Sequence, residues 1–132
     1  MALIVLDASV LIALLDPADA HHQAARAALE TYADDDLRVP AHTLAEALVH
    51  PARARKEGEA RQLIGALEIA IDPVDEEVAI AAAKLRARHG SGMRMPDALV
   101  LAYADVRNAK RVLTADERWT TWSRRVEVVG RS

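Results

Sequence analysis

The sequence predicts an α/β fold with a mainly parallel central sheet, and three observations carry that prediction. Short apolar runs alternate with amphipathic helical stretches along the whole chain, which is the signature of strand–helix–strand units. The first run, "ALIVLD" at 2–7, is continuously apolar until its last residue, as in a central strand covered on both faces. The chain of 132 residues is 52% hydrophobic and 28% charged, enough to bury one core without disulfides or structural metal. No repeat, low-complexity tract or linker interrupts it, so 1–132 reads as a single domain.

The elements follow in order. After the strand at 2–7, "SVLIALL" reads as a short helix with Ser9 as an N-cap candidate, broken by Asp16-Pro17. Residues 19–33 predict a second helix, ended by the acidic turn Asp34, Asp35, Asp36. "LRVP" at 37–40 is a brief strand, and "AHTLAEALV" a helix closing near His50-Pro51. "EARQLIGALEIA" reads as another helix, and "IDPV" as a short strand or extended link. Asp75 caps "EEVAIAAAKLRARH", with Glu76 and Glu77 in a first turn whose dipole favours acids. "GSGM" at 90–93 has the composition of a flexible segment. "PDALVLAYADVRNA" is a helix with Pro96 in its first turn. "RVLTAD" is a strand ending in an acid, and "VEVV" at 126–129 an edge strand.

Several function classes drop out on composition. There is no cysteine, which removes disulfide frameworks, zinc–thiolate sites and thiol nucleophiles and suits a reducing compartment. No apolar run approaches the ~18 residues that span a bilayer, and no signal peptide opens the chain; the expectation is a cytoplasmic protein with no membrane partner. The formal net charge of −3 does not advertise a nucleic-acid binder. Basic residues cluster at Arg53, Arg55, Lys56 and Arg61, at Lys84, Arg86 and Arg88, and at Arg107, Lys110 and Arg111. Each cluster reads first as a solvated helix face.

The acids are more informative. Asp7 and Asp116 each follow an apolar strand, where sites form in parallel α/β sheets. Asp97 lies in the first turn of a helix, so it starts from the same edge. Glu46 lies mid-helix, nearly opposite Leu44 and Leu48 at ~100° per residue, facing either solvent or a cleft. Carboxylates that crowd together raise one another's pKa, and burial adds to the cost. A hard divalent cation removes both problems, and an oxygen-only set points to Mg²⁺ or Mn²⁺. Such ions polarise phosphate esters and lower the pKa of water, so the implied chemistry is phosphodiester hydrolysis. Hydroxyls at Ser9 and Thr114, two residues from Asp7 and Asp116, are candidates to orient these groups from behind. Each residue also has a plainer reading that spacing leaves open. Asp7 and Asp116 serve equally as helix caps, Asp97 as a dipole-favoured acid, and Ser9 and Thr114 as local hydrogen-bond donors.

The histidines offer further candidate ligands. His42, Glu46 and His50 share one helical stripe, where adjacent members could share a transition metal, but the outer two are ~12 Å apart along the axis, so all three cannot ligate one ion. His21 and His22 read as surface residues near a helix start.

The set Asp7 in "VLDASVLIALL", Glu46 in "HTLAEALVHP", Asp97 in "MPDALVLAYA" and Asp116 in "VLTADERW" resembles, in that order, the PIN-domain ribonucleases. Within them it looks like the VapC-type toxins of bacterial type II toxin–antitoxin modules, over nearly the whole chain. The resemblance implies a three-layer α/β/α domain whose metal-binding and catalytic acids are Asp7, Glu46, Asp97 and Asp116. Ser9 and Thr114 match the small polar positions beside them. It further implies Mg²⁺-dependent endonucleolytic cleavage of structured RNA, often transfer or ribosomal RNA, with Mn²⁺ able to substitute. A cognate antitoxin that covers the site, and a homodimer, are also implied. The segment before Asp97, "GSGMRMP", departs from many relatives in carrying Arg94 and no lysine. On this reading the basic clusters would contact RNA phosphates, and four aromatic residues with no phenylalanine favour recognition of backbone and shape over base stacking.

Rivals fall on specific residues. A haloacid-dehalogenase-like phosphatase needs a second Asp two residues after the first, where Ser9 stands. A receiver domain needs an acidic pair near the first strand and a lysine after a late one, whereas Asp7 stands alone and Glu117 and Arg118 follow "RVLTAD". A catalytically weak module whose acids only bind a partner's arginines is the alternative from another class.

Overall fold

A computed structural model describes residues 1–130. Five strands form one sheet in which every pairing is parallel: β1 (Leu3–Leu6), β2 (Asp36–Pro40), β3 (Ala70–Asp72), β4 (Arg111–Thr114) and β5 (Val126–Val128), in the order β3-β2-β1-β4-β5. The chain fills one side of β1 with β2 and β3, then crosses to the other side for β4 and β5. The order therefore reverses between β1 and β4, the switch point at which parallel sheets open a crevice beyond their carboxyl ends.

Six helices cover the two faces: α1 (Ala8–Leu15), α2 (His22–Thr31), α3 (Ala41–Arg53), α4 (Glu57–Ala66), α5 (Glu76–His89) and α6 (Met95–Val106). Successive strand residues point to opposite faces, and β1 divides accordingly. Ile4 and Leu6 pack with Val10, Leu29, Ala47 and Ile64 of α1–α4. Val5 packs on the other side with Val78 and Ala82 of α5 and Leu101 and Tyr103 of α6. This is the three-layer arrangement, with Ile4, Val5 and Leu6 of β1 fully buried across its two faces, as its unbroken apolar run requires. Among the described residues no helix is long and apolar enough to cross a membrane.

Several boundaries move. Asp7, not Ser9, caps α1: its backbone is extended and its carboxylate accepts from the Val10 N–H. The second helix begins at His22, after turns in which Asp16 and Asp19 accept backbone N–H groups. Asp36 belongs to β2 rather than to the preceding turn. Helix α3 runs through Pro51 to Arg53, because a proline near a helix end forfeits only its own N–H bond; the Ala54 N–H still returns to the His50 carbonyl. The helix expected to reach Ala70 stops at Ala66. Glu68 takes a positive φ of 58° and frees Ala70 to pair with β2. Asp75 caps α5 as the sequence indicates, accepting from Val78. The "GSGM" segment closes as a 3-10 turn at Gly90–Gly92, tied down by a fully buried Met93.

Candidate active site

The sequence places an aspartate after each of the two central strands, and the parallel pairing of β1 with β4 brings them side by side. Asp7 leaves β1 as the cap of α1, and Asp116 leaves β4 as the cap of a 3-10 turn at Glu117–Thr121. Asp97 sits in the first turn of α6, whose preceding residue Pro96 presets the helical backbone. Glu46 comes from the middle of α3. All four line one cleft of about 170 Å³ together with Arg94 and Arg118. Glu46 is solvent-exposed as a residue and still faces the cleft, which resolves the two directions its helical phase allows. Ser9 lies at the same cleft, and Thr114 is buried behind it.

Asp7 is the deepest of the acids, 5% exposed. Ser9 Oγ donates to its Oδ1 at 2.5 Å and Thr114 Oγ1 to its Oδ2 at 2.7 Å. Each hydroxyl is itself fixed, since the Ala115 N–H donates to Ser9 Oγ and the Asp116 N–H to Thr114 Oγ1. The capping and site-forming roles of Asp7 are thus not alternatives: one carboxylate caps α1 and knits the ends of β1 and β4 together. Burial pushes its carboxyl up to about 6, with the Asp97 charge acting the same way; the two hydroxyls and the Val10 N–H oppose the rise.

Asp97 is raised as well, chiefly by burial. Arg94 opposes the shift, and the charges of Glu46 and Asp116 reinforce it. Asp116 is held below the usual carboxylate range, first by the Arg118 side chain. Arg118 grips it with Nε at 3.1 Å from both carboxylate oxygens and Nη2 at 2.6 Å from Oδ2, while its own backbone N–H donates to Oδ1. Nothing in the sequence singles out this pair, because only the 3-10 turn brings the two side chains together.

The residues outside the set fall elsewhere. His42 makes a hydrogen bond from Nε2 to the Pro96 carbonyl at 2.9 Å, joining α3 to the start of α6. His50 lines an apolar groove beside Pro51. His21 is exposed, and His22 bonds through Nδ1 to the Ala13 carbonyl. None of the three basic clusters lines the cleft; Arg107 pairs with Asp75 and Arg111 with Glu127. Beneath the sheet edge, a network invisible to sequence spacing joins Tyr103, fully buried, to Asp72, which also receives Arg38.

The cleft suits a hard cation in its chemistry. Its donors are carboxylate oxygens, and their mutual repulsion, visible at Asp97, is what a divalent ion would relieve. They are not drawn together into a ready cage: among the described residues no three acidic or histidine side chains converge as ligands. Asp116 is turned to Arg118, and Asp7 to its two hydroxyls.

A parallel α/β/α sheet with a carboxylate cleft at its switch point is the class defined so far. The model of the PIN domain family matches residues 4–124, and the chain belongs to that family. Solved structures agree on the fold. A chain described as a toxin–antitoxin complex from Klebsiella pneumoniae is 20% identical with a TM-score of 0.79, covering 95% of this chain and 96% of its own. A chain of VapBC2 from Rickettsia felis, bound to a promoter DNA fragment, is 15% identical with a TM-score of 0.77, covering 96% and 98%. VapC20 of Mycobacterium tuberculosis, described as a Sarcin-Ricin loop cleaving toxin, is 19% identical with a TM-score of 0.71, covering 89% and 93%. No curated protein matches the chain at a significant level.

Proposed function

We propose that this protein is a divalent-metal-dependent endoribonuclease acting as the toxin of a toxin–antitoxin pair. The observation that carries the reading is the convergence of Asp7, Glu46, Asp97 and Asp116 on one cleft at the switch point of a PIN-family sheet. The four acids would hold Mg²⁺, with Mn²⁺ as a substitute. When bound, the ion would polarise a phosphoryl oxygen and make water a better nucleophile. Ser9 and Thr114 keep the Asp7 carboxylate in one orientation toward the cleft. Arg94, at the cleft wall beside Asp97, would take a phosphate oxygen of the substrate.

The proposed substrate is a structured RNA, transfer or ribosomal, in keeping with the loop-cleaving description of one fold relative. The proposed partner is an antitoxin. An apolar groove formed by Ile12, Leu15, Pro51 and Leu63 of α1, α3 and α4 runs up to Glu46, which lines both groove and cleft. A partner segment with an apolar face for the groove and a guanidinium for the acids would close the site.

End-labelled total transfer and ribosomal RNA, incubated with Mg²⁺, with Mn²⁺ or with chelator, tests the activity beside Asp97→Asn. Discrete, metal-dependent fragments made only by the unmodified protein are expected. Absence of cutting together with absence of any Mn²⁺ effect on thermal stability would overturn the enzyme reading in favour of a partner-binding module.

A further inference from the structure

Asp116 differs from the other cleft acids in what holds it. Asp7 is locked by two hydroxyls and is nearly inaccessible. Asp116 is gripped by a fork of side-chain bonds from Arg118, whose side chain is 70% exposed. The turn that carries Arg118 is anchored independently: Trp119 is 2% exposed and packs against Trp122 at 6.2 Å between ring centroids. The cap on the turn is also independent of the guanidinium, since it uses the Arg118 backbone N–H. The long side chain can therefore leave Asp116 without loosening either. Four carboxylates face two guanidiniums around this cleft, and an exposed ion pair is weak beside a divalent ion at the same oxygens.

We propose that Arg118 is a resident stand-in cation. It neutralises Asp116 while the cleft holds no divalent ion, and it is displaced when one binds. The released guanidinium then joins Arg94 at the cleft wall to hold a phosphate of the substrate. This rests on the metal-dependent nuclease reading and adds to it a competition for Asp116 from within the chain.

Calorimetric titration with Mn²⁺ of the unmodified protein, Arg118→Ala and Arg118→Lys tests the competition without any turnover. Arg118→Ala is expected to bind Mn²⁺ about threefold or more tightly, because the competing charge is gone. Arg118→Lys, which keeps the charge but not the fork, is expected to fall between. In the unmodified protein, the Arg118 Nε–H resonance should move on adding Mg²⁺. At saturating Mg²⁺, Arg118→Ala should raise the KM for RNA severalfold with little change in kcat. Equal or weaker Mn²⁺ binding by Arg118→Ala would overturn the stand-in role while leaving the metal site in place. Tighter binding with an unchanged KM would overturn the phosphate-holding step. No Mn²⁺ binding by any of the proteins would overturn the nuclease reading and this inference with it.

Discussion

Thr114 Oγ1 lies 2.7 Å from Asp7 Oδ2, across 107 residues of sequence. The bond crosses the seam between the two central strands, and the same hydroxyl accepts the Asp116 N–H. One threonine therefore sets the orientation of one cleft acid and the backbone of another. Thr114→Val removes that donor at nearly constant volume and leaves Oδ2 of a buried carboxylate short of a partner. The expected cost is about 1–3 kcal/mol at pH 7, measured by urea denaturation. Because the hydroxyl favours the charged form of Asp7, the deficit should be smaller at pH 4. A deficit independent of pH would argue against this account of the bond.

Asp7 itself opposes folding once ionised. Its carboxyl is raised from 3.8 to about 6 in the folded protein, so the folded state holds its proton more tightly than the unfolded chain. Stability should fall as pH rises through that window and level off above it. Asp7→Asn removes the penalty. Relative to the unmodified protein, it should gain on the order of 2 kcal/mol between pH 3.5 and pH 7 in chelator. Thermal unfolding across that range measures the gain, and parallel pH profiles for the two proteins would contradict the assignment.

The Tyr103–Asp72 bond predicts the opposite sign. Burial pushes Asp72 up, but the Tyr103 hydroxyl and the Arg38 guanidinium outweigh it and hold the carboxyl below its usual value. Such a group contributes stability above pH 4 that is lost as pH falls through its folded value. Tyr103→Phe should cost about 1–3 kcal/mol at neutral pH, and the deficit should shrink in acid. Chemical denaturation at pH 7 and pH 3 would show it; a constant deficit would mean that packing rather than the hydroxyl is responsible.

Metal binding should be visible as stability before any RNA is found. With Mn²⁺ at about 100 times its Kd, the unmodified protein should gain roughly 5–10 °C in Tm. Asp97→Asn should lose most of that gain while folding normally, since Asp97 is only half-buried. An equal gain in both proteins would place the ion elsewhere.

How much of this was legible in the chain depends on the range over which each residue acts. Asp7 and Asp116 could be placed because a continuously apolar strand ends at each, and the carboxyl ends of parallel strands share an edge. Asp97 followed from Pro96, which marks a helix start. The cap of α1 stayed open between Asp7 and Ser9 because both are good capping residues, and only backbone conformation decides for Asp7. The end of α4 was overrun because Leu67 and Ile69 continue an apolar pattern that the positive φ of Glu68 interrupts. Arg118 and the Tyr103–Asp72–Arg38 network depend on a turn geometry and on contacts between separate elements, about which helical and strand periods are silent.

The strand order has a consequence for when the cleft can exist. β1 is made first yet lies in the middle of the sheet, and its second edge stays uncovered until β4 is available. Long-range parallel pairing of this kind forms slowly, after the loop-closure entropy has been met. Until then Asp7 has no Thr114, and Asp116 has no place beside it. A chain that has not yet reached Arg111 therefore carries Asp7, Glu46 and Asp97 without Asp116 and without the cleft, and a chain truncated there is expected to show neither cooperative unfolding nor a response to Mn²⁺. The cleft is therefore a property that the chain acquires late in folding.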